Sequence, residues 1–146
     1  EIVFFGDHQP SLNKKFYKLM NGKGLSGLTL EELENLYTVP FFIWTNYDTP
    51  EETVEITSLN YLSTMMLERS GMELPPYYQF MQDLREVVPA INARGYYSLE
   101  KNRYLHVEGA LGEELAWISK YQSLQYNRMF DKRNISELFF PYIKEF

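Results

Sequence analysis

Cysteine is absent from this 146-residue sequence, and histidine occurs only twice, at His8 and His106. Without cysteine the chain forms no disulfide framework and no thiolate metal site. No apolar run approaches the roughly 20 residues that a membrane-spanning helix needs, and no signal peptide is visible. Metal ligands in this chain are therefore to be sought among the carboxylates and the two imidazoles.

Basic residues are scarce relative to acidic ones, with 14 Lys and Arg against 20 Asp and Glu and a formal net charge of -6. A nucleic-acid-binding surface needs a basic stripe, so we expect no nucleic-acid partner. Aromatic residues are abundant instead, with 12 Tyr and 10 Phe. Many of them should fill a core, but in a piece of a longer protein some would form an exposed apolar patch. Such a patch favours self-association.

The chain begins with an apolar run, Ile2 to Phe5, that predicts a strand buried on both faces, as in a parallel sheet. Gly6 then allows the backbone to turn. Asp7 and His8 follow at the carboxyl end of this strand, which is where open parallel sheets bind ligands. A carboxylate paired with an imidazole suits Zn²⁺, Mn²⁺ or Fe better than Ca²⁺.

Alternatives for this Gly6-Asp7-His8 corner remain open at the level of sequence. Neighbours on a continuing strand point to opposite faces, so Asp7 and His8 converge on one ion only if the strand ends first. Otherwise they would bind two adjacent ions from opposite sides. In a purely structural interpretation, Asp7 caps the following helix and His8 packs on the edge of the sheet.

A second continuous apolar run, Val39 to Thr45, predicts a neighbouring strand. Short helical patterns lie between the two runs, and a helical crossover is what a pair of parallel strands requires. We therefore predict an α/β fold in which both strands are parallel and helices pack on the sheet. In that arrangement Asn46 leaves the sheet at the same end as Asp7.

Helical periodicity and capping signals predict the remaining elements. Helices are expected over residues 10–20, 58–70, 76–88 and 112–130. A further helix is expected to begin at the capping box formed by Thr29 and Glu32. The segment from Ala90 to Arg103 is expected to be a loop with a turn at Gly95. The apolar tail at 138–142 is expected to dock on the protein, and His106 is interpreted as an ordinary solvent-edge histidine.

Five stretches of the chain carry a family resemblance. They are Phe4-Phe5-Gly6-Asp7-His8-Gln9-Pro10-Ser11-Leu12, Val39-Pro40-Phe41-Phe42-Ile43-Trp44-Thr45-Asn46-Tyr47-Asp48, Ile56-Thr57-Ser58-Leu59-Asn60-Tyr61-Leu62, Leu74-Pro75-Pro76-Tyr77 and Leu124-Gln125-Tyr126-Asn127. In this order they resemble the sulfatase-like branch of the alkaline phosphatase superfamily, and within it the lipoteichoic acid synthase-like phosphoglycerol transferases of Gram-positive bacteria. The resemblance implies that residues 1–146 are a single C-terminal fragment of such a catalytic domain, with mainly parallel strands flanked by helices.

The resemblance also implies a chemistry. Gly6-Asp7-His8 is similar to the last metal-binding element of that family, so Asp7 and His8 would bind a divalent ion, Mn²⁺ or Zn²⁺, in the full-length enzyme. That enzyme would transfer or hydrolyse a phospho- or sulfo-ester of an anionic lipid or polymer head group at the extracellular face of the cell membrane. Gln9 and Asn46 would contact the head group, although surface or turn roles suit them equally well.

The nucleophile of the family and its other metal ligands are not identified in these residues. We therefore expect this chain to be inactive by itself. The alternative is a non-catalytic binding or assembly module that retains the sulfatase-like fold without its chemistry.

Overall fold

Short strands and helices make up the chain, which a computed structural model describes for residues 1–131 and 133–139. The strands and helices are β1 (Ile2–Phe5), α1 (Lys14–Asn21), α2 (Leu30–Asn35), β2 (Phe41–Trp44), α3 (Leu62–Arg69), α4 (Pro76–Val87), β3 (Gly95–Ser98), β4 (Arg103–His106) and α5 (Gly112–Phe130). The chain divides into two units, Glu1–Tyr47 and Asp48–Phe146. The fold is therefore mixed α/β, with small sheets.

The first sheet, as far as the described residues show, pairs β1 with β2 in antiparallel orientation. Ile2 lies opposite Trp44, and Phe5 lies opposite Phe41. The predicted parallel arrangement is wrong, and the described residues contain no parallel sheet of the alkaline phosphatase kind. A continuous apolar run indicates burial but not strand direction. The long connection that a parallel pair needs is equally compatible with an antiparallel pair.

The predicted burial of both faces of β1 is also wrong. Ile2, Phe4, Phe42 and Trp44 share one face of the sheet and are 56%, 62%, 55% and 53% exposed, respectively. We call these four residues the apolar sheet face. Val3, on the opposite face, is half-buried. Two short strands and two short helices supply too little chain to cover both faces of this sheet.

Helix α1 begins four residues later than the sequence predicts. The side chain of Asn13 caps it, since its Oδ1 accepts a hydrogen bond from the backbone N–H of Phe16 at 2.9 Å. The helix ends at Gly22, whose φ of 69° is the left-handed conformation that glycine adopts without steric cost. The residues from Pro10 to Asn13 are thereby left outside the helix.

The capping box predicted at the start of α2 is confirmed. Thr29 Oγ1 accepts from the Glu32 N–H at 3.2 Å, and Glu32 Oε2 accepts from the Thr29 N–H at 2.7 Å. Lys23 Nζ lies 2.7 Å from the same carboxylate. The hydrogen bond from Lys23, followed by the one from the Thr29 backbone, lowers the pKa of Glu32 to about 2. These contacts fix the start of the short helix that leads the chain back toward β2.

Three helices and a hairpin build the core of the second unit. Helix α5 has the predicted bounds, α4 ends one residue earlier than predicted, and α3 follows a 3-10 turn at Leu59–Tyr61. Within the described residues, no helix is both long enough and apolar enough to cross a membrane. The buried apolar side chains of the unit are Tyr61, Leu62, Met65, Met81, Leu84, Val88, Ala90, Ile91, Tyr96, Ala110, Ile118 and Tyr121.

The segment predicted to be a loop with a turn at Gly95 instead contains a β-hairpin. Strands β3 and β4 are antiparallel, with Tyr96 opposite Leu105 and Tyr97 opposite Tyr104. Asn102 in the connection has a φ of 51°, a conformation that Asn tolerates better than most residues. Each strand has only four residues, which is too short for alternation to stand out from the surrounding polar residues.

The start of the apolar tail docks as predicted. The ring of Phe139 packs against that of Tyr77, the second residue of α4, with 4.9 Å between their centroids. Leu138 and Phe139 belong to a 3-10 turn, Glu137–Phe139. The remainder of the predicted docking segment, 140–142, lies outside the described residues.

Removing one hydroxyl group tests the core of the second unit. Tyr61 is fully buried, and its hydroxyl donates to the Val88 carbonyl oxygen at 2.7 Å. Tyr61→Phe should lower the free energy of unfolding by about 1–3 kcal/mol, because a buried carbonyl loses its partner. Tyr126→Phe, at a residue that is 64% exposed, is the matched control and should change stability by less than about 0.5 kcal/mol. Urea denaturation followed by circular dichroism measures both, and equal effects would contradict the assigned hydrogen bond.

Candidate metal centre

The Gly6-Asp7-His8 corner begins where β1 meets the segment that leads into β2. The backbone N–H of Gly6 donates to the carbonyl oxygen of Pro40 at 3.0 Å, one residue beyond the last strand pair. A Cβ atom at Gly6 would lie 3.1 Å from the Cβ of Val39. The close approach of the two segments therefore favours glycine here, since a larger residue would force Val39 to shift by a few tenths of an ångström. The strand ends immediately before Asp7.

Asp7 and His8 converge on one side of the chain. The backbone N–H of His8 donates to Asp7 Oδ1 at 2.8 Å, and His8 Nε2 lies 3.4 Å from Asp7 Oδ2. Two consecutive side chains meet in this way because the extended strand has already ended. This geometry favours the single-ion arrangement over two ions bound on opposite sides. In the purely structural interpretation Asp7 would cap the following helix, but Asn13 caps that helix instead.

The imidazole of His8 has an oxygen atom near each of its nitrogens. Nδ1 lies 3.0 Å from the carbonyl oxygen of Gln9, and Nε2 faces the carboxylate of Asp7. A carbonyl oxygen only accepts, so Nδ1 carries the proton in that hydrogen bond. If the ring is neutral, the Nε2 lone pair faces Asp7, and a cation between Nε2 and Oδ2 would satisfy both atoms; if the ring is protonated, the same contact is an ion pair between His8 and Asp7. Outer hydrogen bonds of this kind orient histidine ligands in metal sites.

The spacing of Asp7 and His8 fits the two ligands of one tetrahedral ion. With metal–ligand bonds of about 2.0–2.1 Å, two ligands of such an ion lie about 3.3 Å apart. The observed separation of 3.4 Å between Nε2 and Oδ2 is close to that value. The His8 and Asp7 side chains are 73% and 81% exposed, so further ligands have access. Within residues 1–131 and 133–139, no group of three or more His, Cys, Asp or Glu residues could hold an ion.

The side chain of Gln9 hydrogen-bonds to the segment that precedes β2. Its Nε2 donates to the carbonyl oxygen of Thr38 at 2.5 Å, across 29 residues of sequence. Together with the Gly6–Pro40 hydrogen bond, this contact holds both ends of the Asp7-His8 dipeptide against residues 38–40. The amide nitrogen of Gln9 therefore has a structural role, and contact with a substrate head group stays a prediction.

Asn46 lies at the opposite end of the sheet. Because β1 and β2 are antiparallel, the residues after Trp44 lie beside Glu1 rather than beside Asp7. Four residue pairs, about 13 Å of strand, separate the two ends. Tyr47 lies at this second end, where its hydroxyl is 3.4 Å from Glu1 Oε2. Desolvation, followed by the nearby carboxylate of Glu1, raises the pKa of Tyr47. The parallel arrangement predicted from the sequence placed Asn46 and Asp7 at the same end of the sheet, and that expectation is wrong as well. A substrate contact by Asn46 stays a prediction.

His106 lies in the second unit, as the last residue of β4. It is exposed and lies opposite Gly95 in the hairpin. This location agrees with the interpretation of His106 as a solvent-edge histidine, and it makes the residue a natural control for His8.

A polar cluster in the second unit was not singled out from the sequence. Ser58 Oγ lies 2.5 Å from Asn60 Oδ1 and accepts from the backbone N–H of Ile91 at 3.0 Å. Asn60 Nδ2 donates to the hydroxyl oxygen of Tyr121 at 3.2 Å. Burial raises the pKa of Tyr121. These hydrogen bonds join α5, the turn before α3 and the segment after α4, so the cluster serves the packing of the unit.

The contacts that position the corner were also missed by sequence reasoning. Nothing in the sequence connects Gln9 to Thr38, and Gly6 indicated only a permitted turn. An antiparallel pairing of the two apolar runs would have brought Val39 and Pro40 next to Gly6. The direction of pairing was therefore the missing information.

A comparison with curated proteins gives one distant relative. A protein of Rhizobium meliloti (strain 1021), named as a cyclic beta-1,2-glucan modification protein, is 26% identical to this chain over 152 residues. The alignment covers 95% of this chain but only 22% of that protein, so the chain spans about a fifth of its relative's length. No family model matches the chain, and no solved structure matches it. The sulfatase-like family therefore stays a prediction.

Substitution of Gly6 tests how the corner is positioned. Gly6→Val should push residues 38–40 away from the corner, because the new side chain would overlap with Val39. Overpacking of this kind costs about 1–3 kcal/mol. We expect faster amide hydrogen exchange in β1 and β2. Gly24→Val is the control, since a Cβ atom at Gly24 meets nothing within 4 Å. Unchanged exchange in Gly6→Val would contradict the close approach.

Proposed function

We propose that this chain is part of a metal-dependent enzyme that transfers a phosphoglycerol or related phospho- or sulfo-group outside the cell. Asp7 and His8 would be two ligands of its divalent ion, Mn²⁺ or Zn²⁺. The donor would be the head group of an anionic lipid or polymer, and the acceptor a glucan or a similar polymer. The remaining ligands and the nucleophile would come from other parts of a longer, membrane-anchored protein.

The observation that carries this proposal is the arrangement of the Asp7 and His8 side chains. Their facing atoms have the separation of two ligands on one ion, and the Gln9 carbonyl orients the His8 ring so that Nε2 points to the carboxylate. Hydrogen bonds on both sides of the dipeptide fix its backbone before any ion binds. Ligands that are fixed in advance lose less conformational entropy on binding.

The distant relative supports the proposed acceptor. Its name describes modification of a cyclic beta-1,2-glucan, and its alignment extends over 95% of this chain. Phosphoglycerol transfer to a sugar hydroxyl is one such modification, and the resemblance of Gly6-Asp7-His8 to a phosphoglycerol transferase element points to the same chemistry. The relative is several times longer than this chain, which agrees with a catalytic apparatus distributed over a larger protein.

The ion would supply a charge that stabilises the transferring group and lowers the pKa of a nucleophile. The residues of this chain have a narrower role. Asp7 and His8 hold the ion, the Gln9 carbonyl keeps the His8 ring in place, and Gly6 allows the corner to approach the Thr38–Pro40 segment. Because the corner offers only two ligands, this chain alone should bind the ion weakly and should not catalyse transfer.

The two histidines provide the test in the full-length protein. His8→Ala removes a ligand, so metal content and turnover should both fall by more than the roughly 10–100-fold that loss of an outer partner costs. Asp7→Ala should behave in the same way. His106→Ala should change neither, because His106 lies at the exposed end of a hairpin in the second unit. Metal analysis and a transfer assay with a phosphoglycerol donor measure these effects.

Full metal content and normal turnover in His8→Ala would refute the assignment, provided that circular dichroism shows an intact fold. The corner would then be a structural turn, and the alternative of a non-catalytic binding or assembly module would be favoured. Loss of turnover with metal content retained would also contradict the ligand role.

A further inference from the structure

The first unit, Glu1–Tyr47, has no buried apolar side chain. Its one buried residue is the charged Glu34, and every buried apolar residue that the structure describes belongs to the second unit. Twelve large apolar side chains of the first unit are exposed, compared with eight in the described part of the longer second unit. A sheet of two strands is at best marginally stable in water unless further strands or helices cover it. The first unit therefore lacks the layer that would complete it.

The candidate metal centre in the same unit is incomplete too. A catalytic Zn²⁺ site has three protein ligands, whereas the Gly6-Asp7-His8 corner offers two. The described residues place no third His, Cys, Asp or Glu side chain beside these two. An ion bound by Asp7 and His8 therefore takes its other protein ligands from outside the described residues. Because metal–ligand bonds are about 2 Å long, the segment that carries those ligands must touch the first unit.

The apolar sheet face lies close to this corner. Phe4 and Phe42 stack across the two strands with 5.2 Å between ring centroids and an interplanar angle of 18°. Asp7 follows Phe4 by three residues, which span at most about 11 Å. The face contains no charged residue, and its four side chains are more than half exposed. A strand or helix that covers this face and continues past Phe4 brings its own side chains within reach of Asp7 and His8.

We propose that the part of the longer protein that carries the remaining metal ligands docks on the apolar sheet face of β1 and β2, and that this docking and ion binding stabilise each other. The inference rests on the proposed function, because it takes Asp7 and His8 as two of the ligands. The ion links the two parts, and the docked part positions its ligands at the ion. Binding free energies are coupled in both directions, so side chains of the face raise the affinity for the ion without touching it.

A matched pair of substitutions in the full-length protein tests the docking. Phe42→Ser removes a ring from the centre of the face and leaves the corner unchanged. Phe130→Ser is the control, because Phe130 is also an exposed phenylalanine with an aromatic neighbour, Tyr126, at 5.2 Å. In calorimetric titrations of the metal-free protein, Phe42→Ser should raise the dissociation constant for Mn²⁺ at least about tenfold, and Phe130→Ser should leave it unchanged. Phe42→Leu keeps an apolar side chain and should retain most of the affinity.

Amide hydrogen exchange in the full-length protein follows the docking directly. Removal of the ion with a chelator should speed exchange in β1 and β2 and should leave β3 and β4 unchanged. In Phe42→Ser the same two strands should exchange faster even with the ion present. Exchange in β1 and β2 that responds neither to the chelator nor to Phe42→Ser would overturn the proposal.

The His8→Ala variant separates failure of the docking from failure of the proposed function. Loss of the ion in His8→Ala with normal affinity in Phe42→Ser would refute the docking alone, whereas retention of the ion in His8→Ala would refute both. Equal loss of affinity in Phe42→Ser and Phe130→Ser would overturn the docking. A dimer of the full-length protein that Phe42→Ser dissociates at unchanged metal affinity would overturn it too, since a second copy would then cover the face.

Discussion

The close contact between Gly6 and Val39 determines where the candidate chemistry of this protein lies. A Cβ atom at Gly6 would lie 3.1 Å from Val39 Cβ, so a larger residue would push the end of β1 and the segment before β2 apart by a few tenths of an ångström. The Gly6–Pro40 and Gln9–Thr38 hydrogen bonds then hold the following residues at that end of the sheet. The convergence of Asp7 and His8 depends on this termination of the strand, because continuing strand geometry would send the two side chains to opposite faces.

Local signals in the sequence predicted local structure well. The capping box at Thr29 and the bounds of α5 depend on a few neighbouring residues, and the structure confirms both. The antiparallel direction of β1 and β2 could not be obtained in this way, because the same apolar runs suit either orientation. The hairpin at Gly95 was missed because each of its strands is four residues long.

In the candidate site, too, some features could be predicted from local sequence and others depend on tertiary contacts. The residue types of Asp7 and His8 and the turn at Gly6 were evident from the sequence, whereas the ring orientation of His8 and the clamp between Gln9 and Thr38 depend on tertiary contacts. Asn46 was placed wrongly because the strand direction was predicted wrongly. A residue expected beside Asp7 lies at the opposite end of the sheet once the pairing is antiparallel.

The metal centre is tested most directly by titrating the isolated chain with Mn²⁺ while the imidazole C–H signals of its two histidines are followed by NMR. Paramagnetic broadening detects even the weak binding that two ligands provide. We expect the His8 signals to broaden at substoichiometric Mn²⁺ and the His106 signals to remain sharp, with the His8 effect lost in Asp7→Asn. Equal broadening of both histidines, or an effect on His8 that Asp7→Asn leaves unchanged, would contradict a shared ion site at Asp7 and His8.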